Sequence, residues 1–258
     1  MKYVSVEDGR KARGLRLVLS QGVPGPWGEA AKAMFRVKGL DFLAIAQEGG
    51  GENAALRDWT GQVSAPVAVW EDEPPRIDSL DILFLAERLG PSPRLIPEDM
   101  AQRVQMFGIT REIIGRRGLG WMRRIMIFAP MMRSGHAPEG IRGMATRYGY
   151  REELADSAPA EVVRILEFLT LTLEQQHARG SRYFVGDTLS AADIYWAAFS
   201  NIVSPMPPSQ CPMPDFLRAA YGDTGPVVAA AVSPVLLAHR DFVFAEHIGL
   251  PMDFLPTV

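Results

Sequence analysis

The first ninety residues alternate short apolar runs with amphipathic stretches. Leu15–Ser20 reads LRLVLS, an apolar run suited to a buried strand, and it ends at the breaker cluster Gly22-Val23-Pro24-Gly25-Pro26. Over residues 27–38, Ala30, Ala31, Met34, Phe35 and Val37 fall at spacings of three and four, which predicts a helix stopped by Gly39. Residues 40–46 (LDFLAIA) predict a second strand, Gly49-Gly50-Gly51 a flexible break, and residues 54–59 a short helix. Residues 65–70 (APVAVW) predict a third strand opening on Pro66, where a missing N–H is tolerated at a strand start or edge. After a turn at 71–75, Leu80, Leu83, Phe84 and Leu89 mark one side of a helix over 78–89.

Gly90-Pro91-Ser92-Pro93 breaks this alternation, because two prolines in four residues stop a helix and stiffen a connection. Beyond it the strand signal disappears. Helical spacing runs over 98–133 and 151–176, and the glycine- and charge-rich residues 134–150 between them read as an exposed connection. The expected division is a first domain at 1–90, a linker at 91–97 and an all-helical domain at 98–258, with no internal repeat.

Composition narrows the function classes. A chain of 258 residues with 47% apolar content can fill the cores of two ordinary domains. With 27 basic against 30 acidic residues, net charge -3, it carries no electrostatic footprint for a polyanion, so nucleic acid is not an expected partner. No apolar run reaches the roughly 18 residues that cross a bilayer, and residues 1–13 lack the apolar core of a secretory signal, so a cytoplasmic protein without membrane contact is expected. The single cysteine, Cys211, excludes an internal disulfide and a CxxC pair; His136, His177, His239 and His247 lack ligand spacing, and no metal is expected.

Three segments carry chemistry. In Gly186-Asp187-Thr188-Leu189-Ser190-Ala191-Ala192-Asp193-Ile194, Ser190 can cap a helix that Asp193 enters at the third position, while Leu189 staples against Ile194. A cis bond before Pro66 would turn the N–H and C=O of Ala65 outward, ready to pair with a peptide ligand as a strand would. Asp78 and Ser79, opening a helix, combine a carboxylate for an amino group with a hydroxyl and free amides for a carboxylate. Each has a structural alternative: Pro66 as a strand start, Asp78 or Ser79 as a plain cap.

Together these segments resemble the cytosolic glutathione S-transferases. GDTLSAADIYWAA is similar to the capping motif on the family's central C-domain helix. Gly61-Gln62-Val63-Ser64-Ala65-Pro66-Val67 resembles its segment leading into a cis-proline, and Ile77-Asp78-Ser79-Leu80 before ILFLAERLG its acidic-Ser motif. The resemblance is to a bacterial-type member. It implies an α/β thioredoxin-like N-terminal domain holding glutathione as co-substrate, an all-α helical bundle C-terminal domain, and a homodimer. The implied glutathione-binding residues are Ala65, Pro66, Asp78, Ser79 and Trp27, with Ser190 and Asp193 structural.

The catalytic loop departs from the family pattern. Serine- and cysteine-type members carry the thiol-activating residue at the start of the first helix, where this chain has Pro24-Gly25-Pro26-Trp27, and only the Trp27 indole N–H can donate there. Tyrosine-type members place a hydroxyl at the end of the first strand; its counterparts here are Ser20 and Gln21, and Ser20 is either the catalytic donor or simply the strand end. Backbone amides at the helix start offer a further way to hold a thiolate. In the family the acceptor pocket lies against the first long C-domain helix. Trp121, Met122, Met126 and Phe128 there are either its walls, suited to an apolar electrophile, or core. Arg123 and Arg124 would bind an anion or sit solvated at the surface. The expected activity is transfer of the glutathione thiol to an apolar electrophile; the alternative is a glutathione-binding or protein-interaction module without turnover. With no cysteine in the first ninety residues, mixed-disulfide chemistry at that site is excluded.

Overall fold

A computed structural model describes residues 1–257. The chain divides into two compact units: Met1–Leu95 with Pro207–Pro214 and the segment from Ala245 onward, and Ile96–Met206 with Asp215–Phe244.

The first unit is a three-stranded mixed sheet between helices. Strands β1 (Leu15–Ser20), β2 (Leu43–Gln47) and β3 (Val67–Trp70) lie in the order β2-β1-β3, with β2 parallel and β3 antiparallel to β1. The first five residues of β1 are buried, as a strand covered on both faces requires. Val18 packs with Ile45, Val67, Val69 and Leu56 of helix α3 (Ala54–Thr60). On the opposite face Leu19 lies so near helix α2 (Pro26–Val37) that a Cβ on Gly28 would come within 3.2 Å of it. Helix α4 (Ser79–Leu89) packs against α2.

The elements match the sequence expectation, with informative shifts. Helix α1 (Val6–Lys11) was not anticipated, although Ser5 caps it by accepting the Asp8 amide at 3.1 Å, and Val4 adds a one-residue parallel bridge to Ile45. Strand β2 starts at Leu43 rather than residue 40, because the chain leaves α2 through Gly39 at φ +65 and needs three residues to reach the sheet. Arg16, in the middle of the apolar β1 run, is 3% exposed; its guanidinium donates to the Gly9, Arg10 and Glu71 carbonyls and lies 5.5 Å over the Trp59 ring. Beyond β3 only Arg76 pairs, in a single antiparallel bridge to Ala68, since Pro74 and Pro75 have no N–H with which to extend a fourth strand.

Helix α1 approaches the sheet at Gly9, where an added Cβ would fall 2.3 Å from Ile45 Cδ1 and 2.6 Å from Cγ1. Ile45 is fully buried, so its side chain must shift within a packed core to make room. Gly9→Ala is therefore expected to destabilise this unit by about 1–3 kcal/mol, as overpacking does, read by urea denaturation.

The second unit is entirely helical. It comprises α5 (Met100–Ile114), α6 (Leu119–Arg133), α7 (Glu139–Arg147), α8 (Glu152–Ala178), α9 (Ala191–Ser200), α10 (Asp215–Gly222), α11 (Gly225–Ala231) and α12 (Pro234–Val243). All ten residues of α9 are buried, and α5 and α12 pack on it while α6 packs on α8. The single helical stretch expected over 98–133 is two helices. At the break a Cβ on Gly115 or Gly118 would meet the Arg111 or Glu112 carbonyl at 2.5 Å, so only glycine lets the chain double back there. Residues 134–150 are not merely an exposed connection: they contain α7, whose Ile141, Met144, Ala145 and following Tyr148 recur at helical spacing.

The first stretch of the first unit ends at Leu95, and residues 207–214 and those from Ala245 group with it. The last of these segments is tied there by buried Met252 and Phe254 and by Asp253, which pairs with the Met1 ammonium at 2.7 Å and with Arg36 at 3.0 Å. Among the described residues, no single helix is long and apolar enough to cross a membrane.

Candidate functional site

Strand register gathers the candidate residues of the first unit at one end of its sheet. Ser20 closes β1 and pairs with Gln47 at the end of β2. The antiparallel register Val18↔Val67, carried two residues further, sets Ser20 beside Ala65 at the entrance to β3. Past β3, Arg76 bridges Ala68, and α4 begins three residues later at Ser79. The N-terminus of α2 joins them, since a Cβ on Gly25 would lie 3.9 Å from Ser20 Oγ.

The Ala65–Pro66 peptide is cis, as the motif predicts. Asp78 caps α4, accepting the Leu80 amide on Oδ1 at 2.8 Å, and Ser79 stands at the first helical position, so that carboxylate, hydroxyl and helix N-terminus coincide. At α2, Gly25 is the cap residue and makes no side-chain capping bond, Pro26 follows, and half-buried Trp27 is second in the helix.

Ser20 is committed internally. Its hydroxyl donates to Gln47 Oε1 at 2.7 Å, and Gln47 Nε2 donates to the Glu48 and Val63 carbonyls at 2.6 and 3.1 Å. Those two carbonyls fix which amide atom is nitrogen, so the oxygen faces Ser20 and takes its proton. Gln47, 4% exposed, thus links the end of β1 to the loop leading into the cis-proline. Sequence reasoning passed over it; the signal was a lone polar residue closing the apolar run LAIAQ.

In the second unit Trp121, Met122 and Met126 lie on α6. Met122 is fully buried, whereas Trp121 and Met126 are half-buried. Trp121 meets the ring of Tyr148 edge-on at 5.3 Å, Phe128 stacks on the same ring at 6.1 Å, and Arg124 lies 4.5 Å over it. Tyr148 therefore packs on α6 at Trp121, Arg124 and Phe128.

Arg123 is not solvated at the surface: it is 0% exposed. It donates to the Ile202 carbonyl just past α9 at 2.8 Å, and to the Tyr221 and Asp223 carbonyls at the end of α10 at 3.1 and 3.3 Å. Burial pushes its guanidinium down to about 10, with the Asp223 carboxylate opposing, so it stays charged near neutral pH. Its donors are turned on helix ends within the fold. Ser190 and Asp193 form the predicted capping box of α9, Asp193 Oδ2 accepting the Ser190 amide at 2.8 Å and its hydroxyl at 2.7 Å.

A thioredoxin-like unit with a cis-proline at the entrance to β3, together with an all-helical unit around a capped central helix, defines the glutathione S-transferase fold. Residues 121–217 match the family model described as glutathione S-transferase, C-terminal domain. The chain has the glutathione S-transferase fold, and the family match lies within its helical unit and the segment that follows it. Among solved structures it is similar to a glutathione S-transferase from Methylobacillus flagellatus with glutathione bound: TM-score 0.63, 16% identity, covering 95% of this chain and 100% of that one. It is also similar to rice GST1 in complex with glutathione, at TM-score 0.61 and 18% identity over 93% of each chain. A third similar structure is the beta-etherase LigF from Sphingobium, at TM-score 0.57 and 18% identity over 88% of this chain and 99% of that one. No curated protein matches the sequence.

Proposed function

We propose that the first unit binds glutathione and that the protein transfers its thiol to an apolar electrophile. The observation that carries this reading is the meeting, at one end of the sheet, of the Ala65 backbone before a cis-proline, the Asp78–Ser79 helix start and the α2 N-terminus. Ala65 would pair with the cysteinyl backbone of the tripeptide, Asp78 would take the γ-glutamyl amino group, and Ser79 with the α4 amides its carboxylate. Pro66 holds that backbone in place. Trp27 and the α2 amides would face the thiolate. Catalysis would then rest on thiolate stabilisation by backbone dipoles and on proximity, with no covalent enzyme intermediate. Trp121 and Met126 remain the proposed apolar walls of the acceptor site, with Met122 behind them.

A cytoplasmic homodimer fits this reading. Met100 and Val104 on α5 are 68% and 64% exposed, apolar surface that a second copy would cover.

A second reading has its own support. The Ser20 proton is engaged by Gln47, and the α2 start offers no hydroxyl or thiol, which favours a glutathione-binding module without turnover.

Calorimetry with glutathione tests the site. The wild type should bind at millimolar concentration or better, and Asp78→Ala/Ser79→Ala should weaken binding by about 30-fold or more while keeping the fold, the loss of one charge-assisted contact. Absence of wild-type binding sinks both readings; binding without turnover across a panel of electrophiles favours the second.

A further inference from the structure

Helix α2 carries two buried charges, Glu29 and Lys32, at 8% and 3% exposure. Lys32 Nζ lies 2.7 Å from Glu29 Oε2 and donates to the Asp253 carbonyl at 2.6 Å. Desolvation raises the Glu29 carboxyl and lowers the Lys32 ammonium, and their mutual attraction opposes both shifts. A pair this costly to bury is held where the geometry satisfies it, and here part of that geometry is a strand of chain more than two hundred residues away in sequence.

That strap, residues 252–257, is fastened from several sides. Phe254 is 1% exposed, and its carbonyl accepts the Tyr3 hydroxyl at 3.0 Å and the Gly22 amide at 3.1 Å. The Asp253 carboxylate pairs with the Met1 ammonium and Arg36, while the Thr257 amide donates to the Met1 carbonyl at 3.0 Å. Gly22 belongs to the loop between Ser20 and α2 and has φ +77, a conformation open to glycine. Its amide links the strap to the segment that leads into the start of α2.

We infer that the strap is a positioning element for the thiol end of the glutathione site: Tyr3 and Lys32 hold it, and its Phe254 carbonyl holds Gly22 and with it the loop 21–25. This rests on the reading of the first unit as a glutathione site. Where no hydroxyl or thiol donates to sulfur, thiolate stabilisation depends on the aim of the α2 backbone amides and the Trp27 indole, and a small displacement of the loop before them weakens it. The strap takes no part in binding the γ-glutamyl or cysteinyl backbone, so it governs the thiol and leaves affinity largely alone.

The test compares the full-length wild type with Tyr3→Phe and with Tyr3→Phe/Glu29→Gln/Lys32→Met, which removes the buried pair as a unit. Hydrogen exchange at Gly22 should quicken about tenfold in the triple variant while Val18 in β1 keeps its protection. Ultraviolet titration of bound glutathione should place the thiolate midpoint at higher pH, with calorimetric affinity little changed. Unchanged exchange at Gly22 overturns the inference, and so does faster exchange with an unmoved midpoint. A wild type that fails to bind glutathione sinks the earlier reading instead, and the Gly22 exchange still reports whether the strap holds the loop.

Discussion

Arg123→Met should lower stability to urea by about 3 kcal/mol, because three backbone carbonyls lose buried donors at once and each unsatisfied group costs about 1–3 kcal/mol before relaxation. The Ile202, Tyr221 and Asp223 carbonyls all depend on this one guanidinium. Removing the buried charge relieves its desolvation, which keeps the net loss below the sum of the three contacts. Arg123→Lys should fall between, since an ammonium cannot fork to two helix ends as a guanidinium does. Arg124→Ala, next in sequence, gives up stacking over Tyr148 and Trp121, on the order of 1 kcal/mol. Equal losses at the two positions would show that the Arg123 bonds carry no special weight.

Asp193→Ala should be at least as damaging, at about 4 kcal/mol, and should bring the thermal midpoint down with it. The carboxylate is 0% exposed and accepts the Ser190 amide and hydroxyl on one oxygen and the Phe184 amide, at 2.9 Å, on the other. His239 Nε2 also comes within 3.0 Å of it, although neither ring nitrogen completes a well-directed hydrogen bond among the described residues. Truncation strands buried donors from two segments and uncaps a helix that is buried along its whole length. Ser190→Ala removes only the reciprocal half and should cost about 1 kcal/mol. A loss at Asp193 no larger than at Ser190 would mean that the cap alone matters and that the Phe184 bond contributes nothing.

Much of this was legible because it is local. The Ser190–Asp193 box spans four residues, and its consequences, a cap and a helix start, are settled among neighbours. The same holds for Asp78 at α4 and for the alternation that placed β1, α2 and β3. The helix α7 was equally local and still missed: Gly140 and Gly143 diluted a stripe at 141, 144, 145 and 148 that was present all along. Ser5 before Val6-Glu7-Asp8 was a cap of the same kind at α1.

The candidate site divides along the same line. Residue types and order pointed to Ala65, Pro66, Asp78 and Ser79, but that they meet at one sheet end follows from two strand registers and a single bridge at Ala68. Ser20 could be named as a hydroxyl at the end of a strand; that Gln47 takes its proton depends on an amide 27 residues away. Arginine at 123 reads as surface by composition, since a buried charge is rare unless paired. What makes its burial tolerable is a set of helix-end carbonyls about 80 to 100 residues further along.

By itself, then, the sequence determined the periodic elements, the caps, the glycine and proline breaks, and the family motifs, because each is decided by side chains within a few residues of one another. Only the tertiary structure decided which polar groups are spent inside the fold, that residues 252–257 close on Tyr3, Gly22 and Lys32, and where the helical unit gives way to segments of the first. Those outcomes turn on hydrogen bonds between parts of the chain far apart in sequence, whose partners are chosen when burial leaves no water to satisfy them.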